Sequence, residues 1–378
     1  MFVSRIIQDQ LKSKIGLNKV LLLFGTRRVG KTFLLKQIEK SLDIPFIHFN
    51  AEDNESRVLL ENRSSANYKR LVGNNKLVVI DEAQVIPEVG KALKLMIDEI
   101  EDLTIIATGS SAFDLSNQTG EPLTGRSYTY LLYPIAQIEL SAQENFLQTK
   151  QNLDERLIFG SYPEVLNLPT LEQKADYLKD LVNSYLLKDI LVFEKVLNSN
   201  KILDLLKLIA YQIGSEVSYD ELAKQLGMSK NTVERYLDLL AKVQILFRLG
   251  GYSSNLRKEV TKSSKWYFYD NGIRNAILTD FKLPATRNDI GALWENYCLC
   301  ERIKRNTYLR KDVQYYFWRT YDQQEIDLIE VEAGSISAVD FKWGGKEKKA
   351  PAFFVKNYPD ASFKIVNREN YLDFIAEN

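Results

Sequence analysis

An α/β fold built on a parallel sheet is predicted for the first 135 residues of this 378-residue chain, and three observations predict it. Short apolar runs at Val20–Phe24, Leu77–Ile80 and Leu103–Thr108 have the length and β-branched content of buried strands. The glycine-containing octapeptide Gly25-Thr26-Arg27-Arg28-Val29-Gly30-Lys31-Thr32 separates the first run from an amphipathic helix opening at Phe33. Two acids, Asp81 and Glu82, stand at the end of the second run, where a central strand delivers side chains to the C-terminal edge of such a sheet.

Each element carries its own chemistry. The octapeptide fits G-x-x-x-x-G-K-[ST], a loop whose backbone N–H groups wrap nucleotide phosphates at a helix N-terminus. Gly25 and Gly30 permit close backbone approach, Thr26, Arg27, Arg28 and Val29 supply the cradle between them, Lys31 reaches the β- and γ-oxygens, and Thr32 ligates Mg²⁺. Asp81 completes the Mg²⁺ shell and Glu82 orients or deprotonates the attacking water; a strand ending by chance in two acids is the competing reading. The third run ends in Gly109-Ser110-Ser111, where Ser110 sits as a sensor of the γ-phosphate. Arg126, in Leu123-Thr124-Gly125-Arg126-Ser127, is a candidate for stabilising charge on a transferring phosphoryl group, in cis or on a neighbouring subunit of a homo-oligomer; a surface arginine in an ordinary ion pair has the same signature. The expected cofactors are ATP and Mg²⁺, with adenine preferred because no guanine-reading motif is evident.

Composition bounds the rest. Lysine plus arginine balance aspartate plus glutamate at 50 each, so no global field draws the chain to nucleic acid or membrane and any such binding is local. Cys298 and Cys300 lie i,i+2 in a predicted helix and His48 is the sole histidine, which disfavours a zinc cage and leaves buried thiols. Met1–Arg5 leads into polar sequence and no apolar run approaches a membrane span, so a soluble, cytoplasmic protein is expected.

After Tyr133-Pro134-Ile135 the periodicity turns helical. Ser141–Phe159 and Leu171–Lys195, separated by the turn Gly160-Ser161-Tyr162-Pro163, predict a helical lid over residues 136–200, although simple packing helices fit as well. Residues 201–285 centre on two amphipathic helices joined at Gly227, a helix-turn-helix pattern followed by strands at Ile245–Leu249 and Lys265–Tyr269 that read as a wing. Val233, Leu237 and Leu240 face inward, leaving Ser229, Lys230, Asn231, Thr232 and Arg235 at the end that a DNA groove would meet; Glu234 and Asp238 dilute its charge, and protein docking is the alternative use.

Residues 286–378 pattern as a helix from Trp294-Glu295-Asn296 and strands at Val313–Trp318, Glu325–Ile329 and Ser337–Lys342. Asp340 and Lys342 fall on one face of a strand, so both can converge with Asp327 and the helix-borne Glu295 on a divalent cation, the arrangement of PD-(D/E)-x-K nucleases. An edge strand with a salt bridge has a similar pattern.

Nearly end to end, the chain resembles prokaryotic AAA+ superfamily ATPases that carry a C-terminal domain of unknown function. The resemblance rests on Gly25–Thr32, Val78–Gln84, Thr108-Gly109-Ser110-Ser111, Leu123–Arg126, Gly160-Ser161-Tyr162-Pro163-Glu164, Lys188-Asp189-Ile190, the helix-turn-helix segment and Asp340-Phe341-Lys342. It implies a P-loop NTPase parallel sheet with a helical lid, then a winged helix and a restriction-endonuclease-like α/β tail, with ATP binding and hydrolysis. Two departures stand out: Tyr133–Glu139 is a loose form of the family's Pro-Leu-Ser-Phe-x-Glu, and Asp340 stands where Glu is commoner, shortening its reach by one methylene. Three functions compete: an ATPase acting on DNA, an ATP-gated nuclease of a defence type, and an ATP-switched scaffold that binds a protein partner.

Overall fold

The computed structural model describes residues 2–109, 123–186, 199–253, 264–345 and 349–377. The chain divides into two compact units, one comprising Phe2–Tyr133 with the short stretch Lys242–Gln244, the other the remainder from Pro134 onward.

The first unit is a five-stranded parallel sheet in the order β2-β3-β4-β1-β5, with β1 at Val20–Phe24, β2 at Phe46–Asn50, β3 at Leu77–Asp81, β4 at Thr104–Gly109 and β5 at Ser127–Leu131. Every residue of β1, β3 and β4 is buried, as expected for strands covered on both faces, whereas β2 and β5 are the half-exposed edges. One face is sealed by Leu60, Tyr68 and Val72 and by Val89, Leu93 and Met96 of the helix Val89–Glu99, all packed against Val20, Leu22, Val78, Ile80 and Ile105. The order places β4 between β1 and β3, so the end of β4 lies between the loop after β1 and the acids after β3.

In the second unit a seven-stranded mixed sheet runs β12-β11-β10-β9-β7-β8-β6, with β6 at Glu216–Val217, β7 at Leu246–Gly251, β8 at Ser264–Phe268, β9 at Val313–Arg319, β10 at Glu325–Glu332, β11 at Ser335–Phe341 and β12 at Ser362–Val366. The hairpin β7–β8 expected as a wing and the strands of residues 286–378 thus share one sheet, joined where Gly250 and Gly251 pair in parallel with Tyr316 and Phe317. The helical segment from residue 136, the helix-turn-helix segment and the tail all fall within this unit.

Its helices start where the sequence caps them. Phe146–Phe159 begins five residues later than the apolar periodicity suggests, because the Asn145 side chain accepts from the Gln148 N–H at 2.9 Å and Gln148 returns the bond to the Asn145 N–H at 2.9 Å. Tyr219–Leu226 and Lys230–Lys242 flank Gly227, with Val233, Leu237 and Leu240 fully buried as read from the sequence. The long helix Ile290–Tyr308 starts four residues before Trp294; Cys298 and Cys300 are both buried within it, and burial pushes both thiols up.

A buried polar knot ties helices to one another in this unit. Asp270 caps the helix Asn271–Leu278, accepting from the Ile273 N–H at 3.2 Å and from the Ser161 N–H at 2.8 Å. The Asn271 amide donates to Leu157 O and Leu293 O, both at 3.1 Å, and Asn275 donates to Ile158 O at 2.8 Å, which satisfies carbonyls at the end of Phe146–Phe159.

Burial pushes Asp270 from 3.8 up to about 6, against the opposing pull of Lys304 and the backbone N–H groups. Between those two values the folded state holds more protons than the unfolded chain, so this group's contribution is greatest at low pH and falls as pH rises, by at most about 3 kcal/mol. Urea midpoints of the parent and of Asp270→Asn across this interval are expected to differ in slope, the variant lacking the downward component; parallel curves would show that Asp270 titrates alike in the folded and unfolded chain.

Candidate nucleotide-binding site

The loop after β1 closes on itself around the cation it carries. Gly30, at φ 98°, enters the helix Lys31–Lys40, and the Lys31 ammonium, 5% exposed, donates to the loop's own carbonyls at Gly25, 2.8 Å, and Thr26, 3.3 Å. Gly25 is required by its neighbours: a Cβ there would fall 2.4 Å from Leu132 O, whose own N–H donates to Phe24 O at 2.6 Å. Arg5, almost wholly buried, fixes the loop from the other side, donating through Nη1 to Val29 O at 2.9 Å and through Nη2 to Tyr133 O at 2.6 Å.

Thr32 and Asp81 meet although 49 residues apart, Thr32 Oγ1 donating to Asp81 Oδ2 at 2.7 Å. A hydroxyl and a carboxylate in contact beside this loop are the oxygen donors that would hold a Mg²⁺ ion. The residues fit Mg²⁺ brought with a nucleotide, and the hard oxygen donors match its preference.

Thr108, at the end of the intervening β4, holds the two acids in place. Its hydroxyl donates to Asp81 Oδ1 and accepts the Glu82 N–H at 3.0 Å. Glu82 sits in the left-handed region at φ 52°, half-buried, with Gln84 Nε2 donating to its Oε2 at 2.5 Å. A backbone in that region is uncommon for a residue other than Gly, Asn or Asp. The sequence reading singled out Ser110 in this stretch; Ser110 lies outside the described residues, and Thr108, Gln84 and Arg5 are the supporting residues it passed over.

Arg126 is placed elsewhere. Its Nε donates to Asp98 Oδ1 at 2.7 Å in a partly exposed ion pair, and its carbonyl accepts the N–H of Val20, the first residue of β1. The nucleotide loop follows the last residue of that five-residue strand, roughly 16 Å away at about 3.3 Å per residue. The cis form of the expectation is therefore corrected: Arg126 lies at the opposite edge of the sheet from its own loop.

In the second unit the predicted tail residues do come together. Asp327 Oδ2 accepts the Phe341 N–H at 2.8 Å, the Asp327 N–H donates to Asp340 Oδ1 at 3.3 Å, and Lys342 Nζ lies 3.7 Å from Asp327 Oδ2. Lys342 falls one residue past β11, its N–H bonded to Val366 O at 2.9 Å, and still reaches Asp327. Burial, and then the charge of Asp340, raise Asp327 above the ordinary carboxylate range. Glu295 belongs to the same neighbourhood: burial and then Asp327 push it up to about 8, and Tyr267 Oη donates to it at 2.6 Å. Among the described residues, however, no three His, Cys, Asp or Glu side chains are arranged to hold a metal ion, so Glu295, Asp327 and Asp340 do not form the expected cation cage.

At the helix-turn-helix, Lys230, Asn231 and Arg235 are all exposed. Lys230 Nζ pairs with Asp220 at 2.7 Å, and the Arg235 guanidinium lies 5.5 Å from the Tyr236 ring centroid. Among the described residues no helix is long and apolar enough to cross a membrane.

Three family models match successive stretches of the chain. Residues 17–141 match the family model of an AAA domain, residues 150–283 a domain of unknown function (DUF8612) and residues 290–373 another (DUF4143). An uncharacterized protein of Mycobacterium tuberculosis is 28% identical over 312 residues, covering 82% of this chain and 67% of that protein. One from Methanocaldococcus jannaschii is 24% identical over 345 residues, covering 86% and 75% respectively. A solved structure, the Walker-type ATPase of Pyrococcus abyssi, aligns with a TM-score of 0.49 at 16% identity, over 73% of this chain and 96% of that one. The phosphate loop, the parallel sheet and the AAA match together support a P-loop NTPase-like fold for the segment 17–141.

Proposed function

We propose that this chain binds ATP with Mg²⁺, hydrolyses it, and uses the nucleotide state to control how the second unit engages DNA. The observation that carries the ATPase reading is the 2.7 Å meeting of Thr32 with Asp81 at the mouth of the phosphate loop. In this reading the loop N–H groups and Lys31 hold the phosphates, Thr32 and Asp81 hold Mg²⁺, and Glu82, kept in place by Gln84 and Thr108, accepts a proton from the attacking water. When bound, Mg²⁺ neutralises charge on the β- and γ-oxygens. Arg126 enters only across a boundary between subunits of a homo-oligomer, acting on a neighbour's nucleotide.

Support for DNA comes from the exposed N-terminal end of the helix Lys230–Lys242, where Ser229, Lys230, Asn231 and Arg235 cluster opposite a fully buried apolar face. Two phosphate contacts from Lys230 and Arg235 would add two released counterions to binding. The test is ATP hydrolysis with and without single-stranded, duplex and branched DNA, together with DNA affinity as a function of salt. Stimulation by one of these DNAs is expected, with Lys230→Ala/Arg235→Ala weakening binding and flattening the salt slope by about two. Hydrolysis indifferent to every DNA, and no binding at low salt, would move the helix to a protein-docking role while leaving the ATPase standing.

A further inference from the structure

The acids of the second unit's sheet surround a lysine that the D-x-K pattern does not contain. Lys265, on β8, is 2% exposed; its ammonium pairs with Glu325 and lies 3.8 Å from Glu295 Oε1, while passing over the Phe317 ring, 5.3 Å from its centroid. Three acids thus bear on it: Glu295 from the helix Ile290–Tyr308, and Glu325 and, as a more distant charge, Asp327 from β10, which β9 and β7 separate from β8 in the sheet. Burial acts against the ammonium, and Glu295 and Glu325 nonetheless hold it above the ordinary lysine range. Burying a cation this deeply is costly unless anions compensate it, and packing carboxylates together is costly unless a cation does. A divalent ion among Glu295, Asp327 and Asp340 would answer the second need, but no three of these groups are set to ligate one.

We propose that the Lys265 ammonium is the built-in counter-cation of this carboxylate cluster, occupying the electrostatic role that a divalent metal would fill in a nuclease of this pattern. Together with Lys342, 3.7 Å from Asp327, the Lys265 ammonium then offsets part of the cluster's negative charge where a divalent ion would otherwise do so. This assignment is independent of the ATP site.

The experiment is Mn²⁺ titration followed by electron paramagnetic resonance on the full chain, without nucleotide and in a Lys31→Ala background that disables the phosphate loop. The Lys31→Ala chain is expected to take up no Mn²⁺ that Asp327→Asn abolishes. Adding Lys265→Met, which keeps an unbranched apolar chain and removes the charge, is expected to create uptake of one Mn²⁺ per chain, lost again with Asp327→Asn, and to make the thermal midpoint rise with Mn²⁺. Uptake by the Lys31→Ala chain that depends on Asp327 would overturn the proposal, because the cluster would then be a metal site as it stands. A Lys265→Met chain that Mn²⁺ neither binds to nor stabilises, folded or not, would overturn it equally.

Discussion

Glu82→Gln is expected to bind ATP as the parent does and to hydrolyse it about 10²- to 10⁴-fold more slowly, the range for loss of a positioned general base. The amide keeps the length of the side chain and an oxygen that can accept from Gln84 Nε2, so the left-handed turn at φ 52° and the bond from the Glu82 N–H to Thr108 have no reason to change. Thr32 and Asp81 are untouched, so Mg²⁺ is held as before. Lys31→Ala should act at the earlier step: it removes the ammonium that the loop folds around and with it both nucleotide affinity and turnover. Titration with a fluorescent ATP analogue, read beside phosphate release, separates the two variants. Undiminished hydrolysis in either one would refute the roles assigned here.

Gly272→Ala is expected to destabilise the second unit by about 3 kcal/mol or more, with a fall in thermal midpoint of roughly 10 °C. A Cβ at this position would lie 2.1 Å from Phe159 O and 2.5 Å from its carbonyl carbon, and 2.9 Å from Asp270 Oδ1. The obstruction is backbone, which has no rotamer to escape into. The end of the helix Phe146–Phe159 would have to retreat, and the bonds from Asn271 and Asn275 to Leu157 O and Ile158 O would stretch with it. A thermal scan by circular dichroism decides the matter; a midpoint within a degree or two of the parent would mean that the two helices are not locked together as described.

The parts of the candidate nucleotide site could be picked out because they are local. A phosphate loop is eight consecutive residues between a strand and a helix, and Asp81-Glu82 ends a strand whose burial follows from its own composition. Thr108 and Gln84 escaped because their roles depend on β4 lying between β1 and β3, a fact of strand order that spacing along the chain does not encode. Arg126 escaped for the same reason: its motif carried no indication of the sheet edge at which it would emerge. In the tail, Asp327, Asp340 and Lys342 were recognisable by alternation along β11 and its neighbour, whereas Lys265 and Glu325 meet across intervening strands and gave no signal. The half-exposed strands Phe46–Asn50 and Ser127–Leu131 and the strand Ser362–Val366 went unread; none of the three forms the continuous apolar run of a central strand.

The two parallel pairs that link Gly250 and Gly251 to Tyr316 and Phe317 make the hairpin and the tail one hydrogen-bonded surface. Cutting the chain at the apparent boundary near residue 285 would therefore strip β7 of its neighbour and lay bare a row of backbone donors and acceptors. An uncovered strand edge recruits other strands, so the severed fragment would be driven toward self-association. A protein dissected at that point would report on the aggregation of a broken sheet rather than on the activity of either half, and isolating the two helices that flank Gly227 requires carrying the tail along.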